Sequence, residues 1–164
     1  MNTRLRWAAI LILVADAGML FWTAMAAIAP ERLLGPRSLP ILVAGYEGFT
    51  QGSWSELVAS SPRTADFMTL LFRMYGLYGV VLSLLTLAIA ATAFRRGDRW
   101  AWWALLIGNT IAFVGAMVYD RIVHAIGPFE ALEYVGLAVI YGALAVTAPF
   151  LPAGRGAVAA QPIR

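Results

Sequence analysis

The chain lacks cysteine and lysine and has few charged residues of either sign. The absence of cysteine excludes disulfides, thiolate nucleophiles and thiolate zinc sites, and the absence of lysine excludes Schiff-base chemistry. Only 13% of the 164 residues are charged, against about 25% in a typical soluble domain, while 61% are hydrophobic. This composition predicts a small integral membrane protein, and the net charge of +3 does not indicate nucleic-acid binding.

Four apolar stretches are long enough to cross a hydrocarbon core about 30 Å thick at 1.5 Å per helical residue. They cover about residues 7–29, 70–94, 100–119 and 132–151. The first follows two arginines, but its long apolar run and the absence of a small-residue cleavage pattern favour a retained helix over a signal peptide. We therefore predict an all-α membrane domain, a four-transmembrane antiparallel helix bundle over residues 1–152, followed by a flexible cytoplasmic tail at 153–164.

Local signals define the ends of these helices. Ser61 followed by Pro62 is typical of an N-cap and a first helical position, which starts the second helix well before its apolar part. Gly97 is the natural left-handed terminator, and Asp98 caps the third helix almost at once. So short a connection predicts that helices two and three are antiparallel neighbours. The third helix is expected to continue to about Ile126.

The arginines are sorted between the two sides of the predicted membrane. The side of the termini has seven arginines against one acid, and the opposite side has five against seven acids. The seven are Arg4, Arg6, Arg95, Arg96, Arg99, Arg155 and Arg164. Because positive residues in short loops stay in the cytoplasm, this asymmetry predicts a multi-pass protein of the bacterial plasma (inner) membrane with both termini cytoplasmic.

The connection between helices one and two, residues 30–61, is unusually long for a compact domain. Its apolar run at residues 39–44 and the aromatic residues that follow suggest an amphipathic or re-entrant segment at residues 38–56. Such a segment would cover the outer mouth of the bundle. The alternative is a partly disordered linker, which the high apolar content argues against.

Asp16 is the most informative single residue, because it lies near the expected midplane of the first span. An acid there costs about 2.5–3.5 kcal/mol on insertion scales, so it must face other helices or a cavity. Residues of similar expected depth on the other helices are Ser83, Thr86, Asn109 and Tyr141. One interpretation is a site that orients a lipid-soluble ligand or carries a proton. The other is a set of interhelical hydrogen bonds that leaves Asp16 neutral.

A second polar cluster is expected at the outer face. It comprises Arg73, Asp120, His124 and Glu133. Asp120 and His124 are four residues apart and so would share a helical face, where they form a candidate acid/base pair. The alternative is an ion-paired rim in which Arg73 neutralises Glu133. The spacing of these residues matches no known metal site, so no metal is predicted.

Small residues at helical spacing predict close contacts between helices. Gly108 on helix three and Gly142 on helix four belong to such stripes, whose partner is either within the chain or a second copy. Gly76 and Gly79 on helix two are candidate packing notches.

The stretch from Arg73 to Trp102 resembles a pattern in small, uncharacterised bacterial four-helix membrane proteins, and it brings no established activity. The overall plan is also similar to the DoxX-like proteins and to the EXPERA group. The EXPERA group includes the sigma-2 receptor and sterol isomerases, and the resemblance implies intramembrane acids around an enclosed lipid pocket. Here the second span has Arg73 and hydroxyls in place of an acid, so no catalytic residue is carried over.

The chain has no motif for nucleotides, zinc peptidases or serine hydrolases, and we predict no cofactor. The leading hypothesis is a non-enzymatic membrane protein that binds a lipid or another hydrophobic molecule through Asp16 and Asn109. It could equally serve as a homo-oligomer or a subunit of a larger membrane complex. The alternatives are a lipid isomerase that uses Asp16 or the Asp120–His124 pair as acid and base, and a proton-coupled carrier.

Overall fold

The computed structural model describes residues 3–35, 38–124 and 127–148, with the side chains of 128–130 left out. Within these ranges the chain is almost entirely helical and contains no β-strand. The six helices are α1 (Thr3–Ile28), α2 (Ile41–Thr50), α3 (Trp54–Ser60), α4 (Pro62–Ile89), α5 (Arg99–Val123) and α6 (Pro128–Thr147). A 3₁₀ turn follows α1 at Pro30–Arg32, and α4 continues into a π-helical segment at Ala90–Phe94. The predicted tail at residues 153–164 lies outside the described residues.

Three of the helices are long and apolar enough to cross a membrane. They are Thr3–Ile28, Pro62–Phe94 and Arg99–Val123, with mean hydropathies of 1.9, 2.1 and 1.7. These three match the first three predicted spans. The fourth predicted span overlaps α6, whose apolar part in the described residues, Ala131–Thr147, is shorter, and the end of that predicted span lies outside the described residues.

Helix α1 is the central helix of the fold. It makes its broadest contacts with α4 and α6, whereas α5 lies mainly against α6, the π segment and α2. The sequence predicted that α4 and α5 are antiparallel neighbours. In the structure, α5 contacts mainly the π segment that ends this helix and touches α4 itself much less. The best-packed core lies at the end of the bundle near the N-terminus, where Ile12, Phe94, Leu105 and Leu144 are fully buried.

Most of the predicted helix ends are confirmed. Ser61 is the N-cap of α4 and Pro62 its first residue, while Asp98 precedes α5 with extended backbone angles. Gly97 has φ of 84°, which is the left-handed conformation that its sequence position predicted. The carboxylate of Asp98 accepts a bond from Arg96 at 3.1 Å, so it pairs across the turn.

The predicted end of the third helix is wrong. Helix α5 ends at Val123, and His124 takes a left-handed conformation with φ of 53° while its N–H donates to Asp120 O. Gly48 of α2 lies directly against the carbonyl of Val123, so α2 covers the point at which the helix stops. His124 is thus the C-cap of α5, one turn beyond Asp120, and the candidate acid/base pair of these two residues stays a prediction.

The connection between the first two long helices is folded, and the linker alternative is therefore wrong. Helices α2 and α3 occupy most of it, and we call them the cap. Ala44 and Gly45 of α2 are buried, and Gly45 lies beside the Tyr119 hydroxyl of α5. The cap covers the end of the bundle opposite the start of α1, which is the position that the sequence predicted for residues 38–56.

Helices α1 and α4 cross at unusually close range. A Cβ atom on Gly76 would lie 2.7 Å from the backbone carbon of Ala26 and 2.8 Å from Thr23 O, and one on Gly79 would lie 2.8 Å from Thr23 Cβ. These glycines are therefore the packing notches that the sequence suggested. By contrast, nothing lies within 4 Å of the corresponding positions at Gly108 and Gly142, so close packing within the chain does not explain those two glycines.

Candidate functional site

Asp16 lies in the middle of α1 and faces the interior of the bundle. It is 13 residues from the start of the helix at Thr3, or about 20 Å along its axis. The buried positions of α1 include Ala9, Ile12, Asp16 and Thr23, which share one helical face. Only 5% of Asp16 is exposed. The inward orientation that the sequence required of a midplane acid is therefore present.

The Asp16 carboxyl is incompletely hydrogen-bonded. In the described part of the chain, Oδ2 of Asp16 is the one buried side-chain nitrogen or oxygen without a hydrogen-bond partner. Folded proteins pair the large majority of such atoms, and an unpaired one costs about 1–3 kcal/mol. Oδ2 of Asp16 is therefore a buried acceptor that a hydrogen-bond donor could still satisfy.

The close crossing sets the register of α4 against α1. Gly76 lies beside Ala27 and Gly79 beside Thr23, and the two helices run antiparallel. Continuing this register along the pair brings Thr86 level with Asp16, and Ser83 one turn closer to the crossing. Both hydroxyl residues are buried. The depth predicted for Ser83 and Thr86 is thus consistent with the packing of α4 on α1.

Helices α5 and α6 contribute three further polar side chains, namely Asn109, Thr110 and Tyr141. Asn109 is buried and donates through Nδ2 to Leu105 O at 2.7 Å. Thr110 Oγ1 donates to Leu106 O at 2.7 Å and lies 2.6 Å from the Tyr141 hydroxyl. Since the Thr110 proton is already committed, Tyr141 is the donor to Thr110. The sequence predicted Tyr141 but missed Thr110, although it adjoins Asn109 and shares its depth.

The hydrogen bonds of this layer bear on the two interpretations of Asp16. Thr110 and Tyr141 join α5 to α6, as expected of hydroxyls that hold helices together. Asn109 satisfies its amide within its own helix. Neither arrangement supplies a donor to Oδ2 of Asp16. The interhelical hydrogen-bond interpretation therefore applies to Tyr141 but leaves the acid unexplained.

At the capped end, Arg73 closes the C-terminus of α1. Its guanidinium donates through one nitrogen to Ile28 O at 2.6 Å and to Ala27 O at 3.3 Å. Its other terminal nitrogen lies 3.7 Å from the carboxylate of Glu31. The sequence named Glu133 for this pairing and missed Glu31. An arginine in this position satisfies carbonyls that the helix cannot pair and complements its negative end.

The other members of the outer cluster are Asp120 and His124, at the C-terminal end of α5, and Glu133, near the N-terminal end of α6. Tyr75 of α4 is close enough to Asp120 and Glu133 for both carboxylates to act on it electrostatically. His124 is exposed beyond the end of α5. Among the described residues no three histidines or acids are grouped so as to hold a metal ion.

The two partners of Arg73 should contribute unequally to stability. Arg73→Leu leaves the Ile28 and Ala27 carbonyls without their donor, and we expect the free energy of unfolding to fall by about 1–3 kcal/mol. Glu31→Gln removes only a long, exposed ion pair, and we expect a loss of less than about 1 kcal/mol. Thermal unfolding of both variants in detergent measures the difference. Equal losses would contradict the assignment of Arg73 as the cap of α1.

No protein family, no curated protein and no solved structure matches this chain. The resemblances to the DoxX-like and EXPERA groups therefore stay predictions. The function has to be inferred from the site itself.

Proposed function

We propose that this chain is a multi-pass protein of the bacterial inner membrane that binds a hydrophobic molecule inside its helix bundle. The ligand presents one hydrogen-bond donor, a hydroxyl or an amine, to the Asp16 carboxyl. Helices α1, α4, α5 and α6 cross the bilayer with both termini in the cytoplasm. The observation that carries the proposal is the unpaired, buried Oδ2 of Asp16.

The membrane part of the proposal is supported by the surface of the long helices. Val14, Phe21 and Ile111 are each about 70% exposed, which is a costly arrangement in water and a favourable one in lipid. Helix α6 has 20 residues and is about 30 Å long, which matches the thickness of the hydrocarbon core. The sorting of the arginines supports the orientation.

The ligand part is supported by the direction in which Asp16 faces. A carboxyl that recruited another subunit would lie on the outer surface of the bundle, but Asp16 lies on the buried face of α1. On that face it adjoins the apolar core around Ile12, and the register of α4 brings buried hydroxyls to its level. Such a combination, mostly apolar with few polar groups, is typical of sites for small hydrophobic ligands.

An isomerase acting on a lipid is the second candidate, because an unpaired carboxyl can also serve as a general acid or base. Moving a proton between two carbons is easiest with a second acid or base on the substrate. The other titratable side chain in the layer is Tyr141, whose hydroxyl is engaged with Thr110. Binding without catalysis is therefore the function that this geometry favours.

The test is the retention of small molecules by the purified protein. We expect mass spectrometry of an organic extract to show a hydrophobic compound enriched over the bulk lipids. Its amount should fall at least about tenfold in Asp16→Leu, because a hydrogen bond to a charged or strongly polar group is worth about 1.5–3 kcal/mol. Asp66→Leu, at an exposed acid of α4, is the matched control and should keep the compound.

Two results would contradict the proposal. The first is an extract in which the wild type contains only bulk lipids in their ordinary proportions. The second is equal retention by the wild type and by Asp16→Leu, which would separate the compound from the carboxyl.

A further inference from the structure

A pocket of about 230 Å³ lies beneath the cap, where α1 ends and α4 continues outward. Its walls are mostly apolar and come from four separate segments of the chain. They include Pro30, Pro40, Leu42, Val43, Trp54 and Thr69, and Glu31 is the one charged residue among the described residues that line it. An apolar cavity of about 150 Å³ is enough to bind benzene, so this pocket has room for a segment of a hydrocarbon chain.

Two residues in the walls of the pocket, Trp54 and Thr69, are held in place by bonds to neighbouring residues. The backbone N–H of Trp54 donates to Glu47 Oε1 at 3.0 Å, and the indole lies edge-to-face with Tyr46 at 5.4 Å. The hydroxyl of Thr69 donates to Ala65 O at 2.9 Å within α4. Because these polar groups are already paired, the pocket offers an apolar surface rather than hydrogen bonds.

The pocket does not lead to Asp16 along the α1–α4 contact. Gly76, seven residues and about 10 Å beyond Thr69, lies against the backbone of Ala26 and Ala27 with no room for even a methyl group. The contact between α1 and α4 therefore leaves no passage along it from the pocket to Asp16. The pocket under the cap is therefore a separate site.

Two opposite charges lie at the pocket. The carboxylate of Glu31 lines it, and the guanidinium of Arg73 lies 3.7 Å from that carboxylate. This is longer than the 2.7–2.9 Å of a strong charge-assisted hydrogen bond. The two side chains are also 63% and 39% exposed, so each charge remains accessible to a ligand group. A lipid headgroup with only negative charge would pair with Arg73 but be repelled by Glu31. A headgroup with both charges complements the two side chains.

We propose that this pocket binds one hydrocarbon chain of a zwitterionic phospholipid with an amine head. The chain lies among the apolar walls, the phosphate pairs with Arg73 and the ammonium pairs with Glu31. This inference rests on the membrane placement of the proposed function, because the pocket has to lie near the headgroups. It is independent of the ligand at Asp16.

The experiment uses the full chain in lipid nanodiscs that contain a phosphatidylethanolamine with a photoreactive group in its tail. A phosphatidylglycerol with the same tail is the comparison lipid. Peptide mass spectrometry locates the labels. We expect the ethanolamine lipid to label the walls around Val43 and Trp54 about fivefold more than the glycerol lipid, since fivefold corresponds to the about 1 kcal/mol of an exposed ion pair.

Two pairs of variants test the tail and the head separately. Val43→Trp fills the pocket and should abolish labelling of its walls, whereas Val58→Trp, on the exposed part of α3, should preserve it. Glu31→Gln should reduce the preference for the ethanolamine lipid to less than about twofold, and Glu56→Gln, an exposed acid of α3, should not. Both effects are needed for the proposal to stand.

The proposal is overturned if both lipids label the walls equally in the wild type, or if Val43→Trp and Val58→Trp label alike. Asp16→Leu separates this site from the one in the bundle, since it should leave the labelling of the cap pocket unchanged. Labelling that persists in Asp16→Leu while the extracted compound disappears supports both proposals. Labelling that persists when no compound is retained by the wild type leaves only the cap pocket standing.

Discussion

Replacing Gly76 by alanine is expected to lower the free energy of unfolding by about 2–3 kcal/mol. Alanine normally stabilises a helix by up to about 1 kcal/mol relative to glycine. At this position, however, the new methyl group would lie 2.7 Å from the backbone carbon of Ala26 and 2.8 Å from Thr23 O. Backbone atoms cannot rotate away as a flexible side chain can, so α1 and α4 must separate, and such overpacking costs about 1–3 kcal/mol or more.

Gly108→Ala is the matched control, because it makes the same chemical change in the middle of another long helix. Nothing lies within 4 Å of the added methyl group there, so we expect the variant to be as stable as the wild type or up to about 1 kcal/mol more stable. Thermal unfolding of both proteins in detergent, followed by circular dichroism, shows whether each substitution lowers or raises the stability. A Gly76→Ala protein as stable as Gly108→Ala would show that the crossing is looser than described.

Replacing Asp16 by leucine is expected to stabilise the ligand-free protein, which is the opposite of the usual effect of a core substitution. The unpaired carboxyl costs about 1–3 kcal/mol as a buried group without a partner. Leucine is apolar, is similar in size and adjoins the apolar core around Ile12. We expect a gain of about 1–3 kcal/mol in the free energy of unfolding, together with the loss of ligand retention.

Thr23→Val provides the reference for this measurement, because it also replaces a buried polar residue of α1. The Thr23 hydroxyl is fully engaged with Met19 O and Leu20 O, and we expect its removal to change the stability by less than about 1 kcal/mol. Both variants are compared after delipidation, so that a bound molecule does not stabilise the wild type. A clear loss of stability in Asp16→Leu would mean that the carboxyl holds the bundle together through bonds to other helices.

The features that could be predicted from the sequence are those that depend on neighbouring residues. Ser61 and Pro62 start α4, and Gly97 ends the long α4 region, because capping preferences act over a few positions. The apolar runs predicted three of the long helices because their length alone sets the requirement. The inward face of Asp16 followed from the cost of an acid in the bilayer.

The features that could not be predicted depend on residues distant in the sequence. Helix α5 stops at Val123 where Gly48 of the cap lies on its carbonyl, and the left-handed histidine that follows has no local signal. Arg73 pairs with Glu31 because of the register set at the α1–α4 crossing. That register depends on how closely glycines allow two backbones to approach, which spacing alone does not reveal.

The candidate site was predicted in part, because depth along a helix can be counted but rotation around it cannot. Counting placed Thr86, Asn109 and Tyr141 near the level of Asp16, and the register of α4 on α1 is consistent with that level for Thr86. It could not identify which groups bond to each other. Thr110 was missed for this reason, since its contact with Tyr141 depends on how α5 and α6 are rotated.

The central position of α1 has a consequence for how the protein is made. Its two broadest contacts are with helices synthesised much later, the nearer of which is complete only at Phe94, 66 residues after Ile28. At about 5–20 residues per second, a nascent chain needs roughly 3–13 s to add those residues. In the proposed membrane placement, the first helix therefore enters the bilayer with its acid before the helices that bury Asp16 have been made, and this interval is the step at which biogenesis is most exposed to failure.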